Sequence, residues 1–286
     1  MGGTAEADAG LLGPSSVTWQ LHADPAMWLG GISSLYLQAL HPRAVAAIVQ
    51  NSNFREDPLG RLSRTGNFVG LATYGTTAQA RAAAAKVRAV HRSLRAKDPR
   101  TGRRFRIDEP DLLLWVHCAE VASFLAVVRR AGFALTAAQA DRYLAEQRET
   151  ATLVGLHVDD VPGSTGELAD YFRIVRHELR RTEDSEVVYR FLQRPPLQGP
   201  LRAGLPVYQS LVGELAYALL PDWAIELHGH RAYSPDVATG MLRALRSAAL
   251  LIPGPLRWRV PHGHANQAIA RLGRTATPSP RLLPKA

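Results

Sequence analysis

Residues 87–95 read Val-Arg-Ala-Val-His-Arg-Ser-Leu-Arg and close a long run of helix-forming residues. Side chains three and four positions apart share one face of a helix. This spacing predicts an apolar stripe of Ala84, Val87, His91 and Leu94, with Val90 beside it, and a basic side of Arg88, Arg92 and Arg95. His91 therefore falls on the predicted buried side, where an unpaired polar group costs about 1–3 kcal/mol. A backbone carbonyl is the commoner partner for such an imidazole, a metal ion is the alternative, and this helix alone leaves both open.

The composition is that of an ordinary globular protein, with 46% hydrophobic and 21% charged residues in a chain of 286. The single cysteine, Cys118, excludes an internal disulfide framework and a cysteine-ligated cluster. Residues 1–14 have neither the basic nor the apolar region of a signal peptide. No uncharged apolar run reaches the length of about 18 residues that suggests a membrane span. We therefore expect a cytoplasmic protein that does not bind a membrane.

The net charge of +9 comes almost wholly from arginine. Basic charge can indicate a nucleic-acid partner, but that signal requires clustering on one face. Here the arginines are spread along many predicted helices, and the one dense cluster, 97–106, lies in a predicted loop. We interpret the charge as a solvated surface and expect no nucleic-acid partner.

Helical periodicity dominates the chain and predicts a single all-α domain of about ten helices with non-bundle packing. We place the domain at 15–273, between a disordered segment 1–14 and a flexible tail 274–286. A helix from Asp24-Pro25 to about Leu40 is apolar nearly all round and should be central, and Gly30-Gly31 would allow close approach of another backbone or a ligand. At most one small hairpin is expected, around Thr101-Gly102.

Two threonines are predicted to begin helices. Thr77 should cap a helix over 78–96 and Thr136 a helix to about Val154, because a threonine hydroxyl accepts a bond from a free backbone N–H of the first turn. A further helix should run from Leu112 to about Arg130.

Several kinds of catalytic site are excluded by missing motifs. The chain has no phosphate-binding loop, no dinucleotide fingerprint, no His-Glu-x-x-His, no Glu-x-x-His and no Gly-x-Ser-x-Gly. What remains is a set of histidines in or at the ends of apolar helical segments, namely His41, His91 and His117. One imidazole beside a large apolar pocket is the arrangement that a haem requires. For His41 and His117, a local hydrogen bond is the competing interpretation.

The order of several short segments resembles the oxygenase family that contains the bacterial latex clearing protein, a rubber oxygenase, and the fungal mycophenolic-acid pathway oxygenase. The resemblance covers about residues 17–250, and its specificity comes from the order and spacing of the pieces. In chain order they are Gly30-Gly31, Leu37-Gln38-Ala39-Leu40-His41-Pro42, Ser52-Asn53-Phe54, Asp57-Pro58, Arg61-Leu62-x-Arg64-Thr65, Tyr74-Gly75-Thr76, Val87-Arg88-x-x-His91, Leu112-Leu113-Leu114-Trp115-Val116-His117, Asp141-Arg142-Tyr143 and Val161-Pro162.

This resemblance implies a site for haem b and its iron. His91 would be the proximal ligand. The residues themselves leave His117 as second choice, because it faces the apolar Leu113, Val121 and Phe124, and His41 as a further pocket histidine. Arg61, Arg64 and Thr65 would be the catalytic residues on the distal side, where dioxygen and a small apolar substrate would bind. The helices 25–40 and 112–130 would supply the walls of the pocket.

One position departs from the family pattern. Arg64 stands where the latex enzyme has a lysine that can bind iron, and arginine has no free lone pair for that purpose. The resemblance therefore implies an open or water-bound sixth position. No residue matches the distal acid of the latex enzyme, and without a secretion signal we do not expect rubber as the substrate.

Two other functions compete with a haem oxygenase. The first is a helical protein that carries haem or a lipid without turnover, which would share the pocket but would not need Arg61 and Thr65. The second is a basic nucleic-acid binder, which lacks a recognisable helix-turn-helix. The sequence does not indicate the substrate, the outcome of the reaction or the oligomeric state.

Overall fold

The computed structural model describes residues 7–196, 199–260 and 262–285. Helices dominate these residues, and a two-stranded antiparallel sheet is their only sheet. The helices of the first half are α1 Val17–Leu21, α2 Met27–Gln38, α3 Pro42–Asn51, α4 Pro58–Tyr74, α5 Thr77–Ser93, α6 Pro110–Arg130, α7 Ala137–Val154 and α8 Thr165–Val175.

The second half continues with shorter helices. They are α9 Glu183–Gln193, α10 Leu205–Tyr208, α11 Leu215–Ala218, α12 Asp222–His228, α13 Pro235–Leu250, α14 Gly254–Arg257 and α15 His264–Leu272. A π-helical segment, Gln209–Glu214, joins α10 to α11. The all-α prediction is confirmed, although the described chain divides into more helical segments than the ten expected.

Two apolar helices, α2 and α6, form the centre of the fold. They run antiparallel, and among the described residues no other pair of helices packs as extensively. Gly30 makes this possible, because a Cβ there would lie 3.2 Å from Phe124 Cα and 3.3 Å from Ser123 O. The predicted close approach at Gly30 is therefore an approach of the α6 backbone. Trp115 of α6 is fully buried, and its indole N–H donates to Gln38 O at 3.1 Å.

The expected hairpin is present as β1, Arg95–Lys97, and β2, Arg104–Arg106. Ala96 pairs with Phe105, and these two side chains are buried while their neighbours on both strands are exposed. This alternation is the pattern of a strand pair with one face on the core. The hairpin follows α5 directly. The basic residues of the segment 97–106 are exposed, so this segment lies on the surface.

Helix caps agree with the sequence at one threonine and not at the other. Thr136 and Gln139 form a capping box at the start of α7, which confirms the prediction that Thr136 begins this helix. At α5 the predicted cap, Thr77, is wrong by one position. Thr76 has the extended backbone of a cap, and its hydroxyl and the Gln79 amide bond each other's backbone N–H groups.

The C-terminal segment packs on the domain, contrary to the expected flexible tail from residue 274. The Trp19 indole donates to Ala276 O at 2.9 Å, and the Ser279 N–H donates to Gln20 Oε1 at 2.7 Å. Ala276 is small enough to be buried beneath Trp19, a long-range fit that local sequence patterns do not reveal. Of the expected disordered segment, residues 1–6 lie outside the described residues, while Asp8 accepts a bond from Thr77 N at 2.9 Å.

One helix among the described residues, α6, is long and apolar enough to cross a membrane by length and composition. Within its most apolar window 61% of the residues are buried by the rest of the protein. Since core helices pass the same test, this feature is weak support for a membrane span.

Candidate active site

α4 carries the first part of the candidate site. Its start is fixed by Asp57, whose carboxylate accepts the Gly60 N–H at 2.9 Å, and by Pro58 in the first turn. Arg61 and Thr65 are one helical turn apart, and the guanidinium Nη1 donates to Thr65 Oγ1 at 3.0 Å. The Thr65 hydroxyl donates in turn to Arg61 O at 3.3 Å. These two bonds orient the guanidinium and leave most of its five N–H donors available.

His91 stands near the C-terminal end of α5, the helix that packs along α4. Its ring is partly exposed, yet its Nδ1 atom is buried and has no hydrogen-bond partner. Burial lowers the pKa of His91, the Arg61 guanidinium lowers it further, and Asp108 opposes both. The imidazole is therefore neutral at pH 7, which is the form that binds a metal.

The apolar stripe predicted on α5 is present only in part. Ala84 is fully buried and Val87 partly so, but Val90 is 53% exposed. Leu94 lies beyond the last helical residue, and the Arg88 guanidinium donates to Leu153 O on α7. α5 is thus held between α4 and α7, with His91 at its inner edge.

Glu120 on α6 completes the electrostatic environment, and the sequence analysis missed it. Burial raises the pKa of this carboxyl to about 7, and the positive charge of Arg61 acts in the opposite direction. Arg61 thus interacts with both His91 and Glu120, although neither α4 nor α5 packs closely on α6 within the described chain. The available signal was a lone acidic residue inside the most apolar helix.

A directed chain of hydrogen bonds ends beside Glu120. The Thr73 hydroxyl donates to Val69 O at 2.9 Å, so it must accept from His22 Nδ1 at 2.8 Å. Burial lowers the pKa of His22 to about 3, which leaves its Nε2 unprotonated and able to accept from the Tyr143 hydroxyl at 3.1 Å.

The Tyr143 oxygen then offers only lone pairs to the neighbouring carboxyl. Burial raises the pKa of Tyr143 and the charge of Glu120 raises it further, so the two groups are near each other. A protonated carboxyl could donate to the lone pairs of Tyr143, whereas a carboxylate could not. Burial favours a neutral Glu120, and the direction of the hydrogen-bond chain is compatible with that form.

The proton on Glu120 should make stability depend on pH. The folded protein holds this proton to about pH 7, whereas a glutamate carboxyl in the unfolded chain releases it near its ordinary pKa of 4.5. The free energy of unfolding therefore falls as pH rises between these values. Glu120→Gln cannot ionise and should be more stable than the wild type at about pH 8, with a smaller difference at about pH 5. Urea unfolding of the haem-free protein measures this.

The matched control is Glu149→Gln, at an exposed position of α7. We expect its stability to follow the wild type at both pH values. A Glu120→Gln difference that is the same at both values would contradict a raised pKa.

The other predicted site residues lie in different surroundings. Arg64 is 56% exposed and pairs with Asp57 Oδ2 at 3.0 Å, and its positive charge lowers the pKa of Arg61, after the larger effect of burial. His41 caps α3 through Nδ1, which accepts the Ala44 N–H at 3.3 Å, and its Nε2 lies 3.5 Å from Glu178. Arg64 therefore lies at the exposed edge of the site, and His41 is engaged elsewhere, at the start of α3.

Two other histidines of the described residues also have a buried nitrogen without a partner, namely His117 and His228, and the ring of His228 is already held through Nε2 by Tyr36 O at 3.0 Å. The Nε2 atom of His117 is buried without a partner, so the local hydrogen bond considered from the sequence is missing at this atom. Burial lowers the pKa of His117 to about 4. The side chain is only 8% exposed, which leaves little room beside the ring for a large planar group.

Metal binding at this site would depend on a single protein ligand. No group of three or more His, Cys, Asp or Glu side chains with metal-binding geometry occurs among residues 7–196, 199–260 and 262–285. Haem iron needs only one axial ligand from the protein, because the macrocycle supplies four. His91, a neutral imidazole with an unpaired nitrogen beside the oriented Arg61, is the candidate for that single ligand in this all-α fold.

Comparison with known proteins identifies the family of the chain. The family model described as the catalytic domain of ER-bound oxygenase mpaB/B' and rubber oxygenase matches residues 19–252. The chain therefore belongs to this oxygenase family, and the resemblance found in the sequence is confirmed. Its function is accordingly of the oxygenase type, with a substrate and dioxygen as general partners. No curated protein and no solved structure matches the chain.

Proposed function

We propose that this protein is a haem b-dependent oxygenase of the cytoplasm that uses dioxygen on an apolar or unsaturated small molecule. One observation carries the proposal: the neutral imidazole of His91 has a buried, unpartnered nitrogen and stands beside the Arg61–Thr65 pair. Family membership supports the oxygenase chemistry, and the residues at the site support the cofactor.

His91 is a better candidate for the iron ligand than His117. Both rings have a buried nitrogen without a partner, but His91 is partly exposed at the end of α5, whereas His117 is enclosed by the core. His91 would therefore hold the iron. When bound, haem supplies the one-electron and dioxygen chemistry.

The residues of the chain would supply binding, orientation and a proton. The free N–H donors of Arg61 would hold an electronegative atom of dioxygen or substrate, and Thr65 would keep the guanidinium in place. The Glu120 carboxyl, with its pKa of about 7, would hold a proton at its oxygen and release it near neutral pH.

Apolar side chains of α4, including Phe68 and Val69, remain partly exposed beside these groups. They would exclude water and favour an apolar substrate, because burying apolar surface is favourable. A carrier of haem or lipid would use the same apolar space but would gain nothing from an oriented arginine or a neutral acid.

Oxygen consumption separates the enzyme from the carrier. Haem-loaded protein would be tested in an oxygen electrode with terpenoid, polyene and phenolic compounds. We expect substrate-dependent oxygen uptake with at least one class and an oxygenated product by mass spectrometry. Haem binding without uptake on any of these classes would favour the non-catalytic carrier.

A further inference from the structure

The net positive charge of the chain arises mainly at its C-terminal end, because acidic residues are absent there while basic residues are spread along the whole chain. After Asp236 the sequence contains eight Lys and Arg residues and no Asp or Glu, so this part accounts for nearly all of the net charge of +9. The preceding part is almost balanced. Five of the eight lie on α13, α14, α15 and their connections, and the other three follow α15 in the C-terminal segment.

The same region exposes a dense group of aliphatic side chains. Leu251 is 85% exposed in the turn after α13, and four others within the next turns are between 42% and 67% exposed, namely Leu250, Ile252, Leu256 and Val260. Single exposed aliphatic residues are normal on a protein surface, but five within eleven positions form a patch that usually has a partner. We call this group the 250–260 surface.

Arginines lie within and beside the 250–260 surface. Arg259 is exposed, and Arg257 donates to Ile252 O at 3.0 Å, which holds its guanidinium against the aliphatic turn. Arg246 is neutralised by Asp24 at 2.8 Å, and that carboxylate also acts on Arg257. Asp24 thus compensates Arg246 and acts on Arg257, while Arg243 and Arg259 are exposed and form no ion pair within the described residues.

We propose that the 250–260 surface docks this protein on an anionic lipid bilayer. Protruding aliphatic side chains insert at the boundary between headgroups and acyl chains, and arginines beside them bind lipid phosphates. A protein partner or a second copy with an apolar face would leave the charge excess without a purpose, whereas an anionic membrane complements both features. This attachment is peripheral and independent of the proposed haem chemistry, and it replaces the expectation from the sequence that the protein does not bind a membrane.

Vesicle flotation with the purified full-length chain tests the proposal. The probe is a phosphatidylcholine vesicle with a minority of phosphatidylglycerol, compared with phosphatidylcholine alone. We expect the wild type to float with the anionic vesicles and to be released by high salt. Leu251→Ser should weaken binding about tenfold or more, and Arg259→Glu about tenfold on anionic vesicles only.

Matched controls lie on α8, where Ile174 is 62% exposed and Arg173 is also on the surface. Ile174→Ser and Arg173→Glu should float like the wild type, and circular dichroism checks that all variants fold. A wild type that does not float, or a Leu251→Ser that floats as well as Ile174→Ser, overturns the proposal. A concentration-dependent dimer that Leu251→Ser abolishes, without flotation, would assign the surface to a second copy and also overturn it.

Discussion

Replacing Arg61 by glutamine should reduce oxygen-dependent turnover about 100-fold while the protein still binds haem. Arg61 is the charged group that interacts with both His91 and Glu120, and its guanidinium is held by Thr65. Removing an oriented donor from a site costs on the order of 100-fold or more in rate, because the remaining groups cannot replace its charge. Steady-state oxygen uptake with a responsive substrate measures the effect, and the Soret band reports haem occupancy.

The control for this prediction is Arg64→Gln, three positions further along the same helix. Its guanidinium is exposed and engaged by Asp57 and Asn53. We expect turnover within about twofold of the wild type, because exposed ion pairs contribute little. Equal losses in both variants would show that general positive charge, and not the position of Arg61, matters.

Replacing Trp115 by alanine should lower the free energy of unfolding by about 3–5 kcal/mol. Trp115 belongs to α6, and its indole is fully buried against the end of α2. It also packs on Phe172, with ring centroids 6.1 Å apart. Truncation leaves a cavity and deprives Gln38 O of its bond from the indole N–H. Urea unfolding followed by circular dichroism measures the loss.

A less severe change separates packing from hydrogen bonding at the same position. Trp115→Phe keeps an aromatic ring without the N–H, so we expect a smaller loss of about 1–3 kcal/mol. Trp28→Ala is the surface control, because Trp28 is 42% exposed on α2, and its stability should change by less than about 1 kcal/mol. A Trp115→Ala protein as stable as Trp28→Ala would contradict the central role of the α2–α6 pair.

Local sequence patterns predicted the parts of the fold that depend on local physics. Helical periodicity located α2 and α6, glycines marked their close approach, and Thr136 marked the start of α7. The small hairpin followed from turn residues around Gly102, which has a positive φ of 69°. At Thr76 and Thr77 two adjacent candidates competed, and only the backbone conformation distinguishes them.

The candidate site depended on contacts between distant parts of the chain, and much of it was therefore missed. Glu120 and His22 take their properties from burial against other helices, which no local spacing encodes. Arg64 belongs to the same sequence motif as Arg61 and Thr65, but it is one residue from Thr65, and a helix turns by about 100° per residue. That rotation places it in solvent, where it pairs with Asp57.

The identity of the iron ligand is the central claim, and haemin titration of His91→Gly tests it most directly. Glycine removes the ring and leaves a space that free imidazole can enter. We expect the wild type and His117→Gln to give a Soret band typical of histidine-ligated haem, and His91→Gly to lose it and to regain it when imidazole is added. A His91→Gly spectrum identical to that of the wild type, or its loss in His117→Gln instead, would contradict the account.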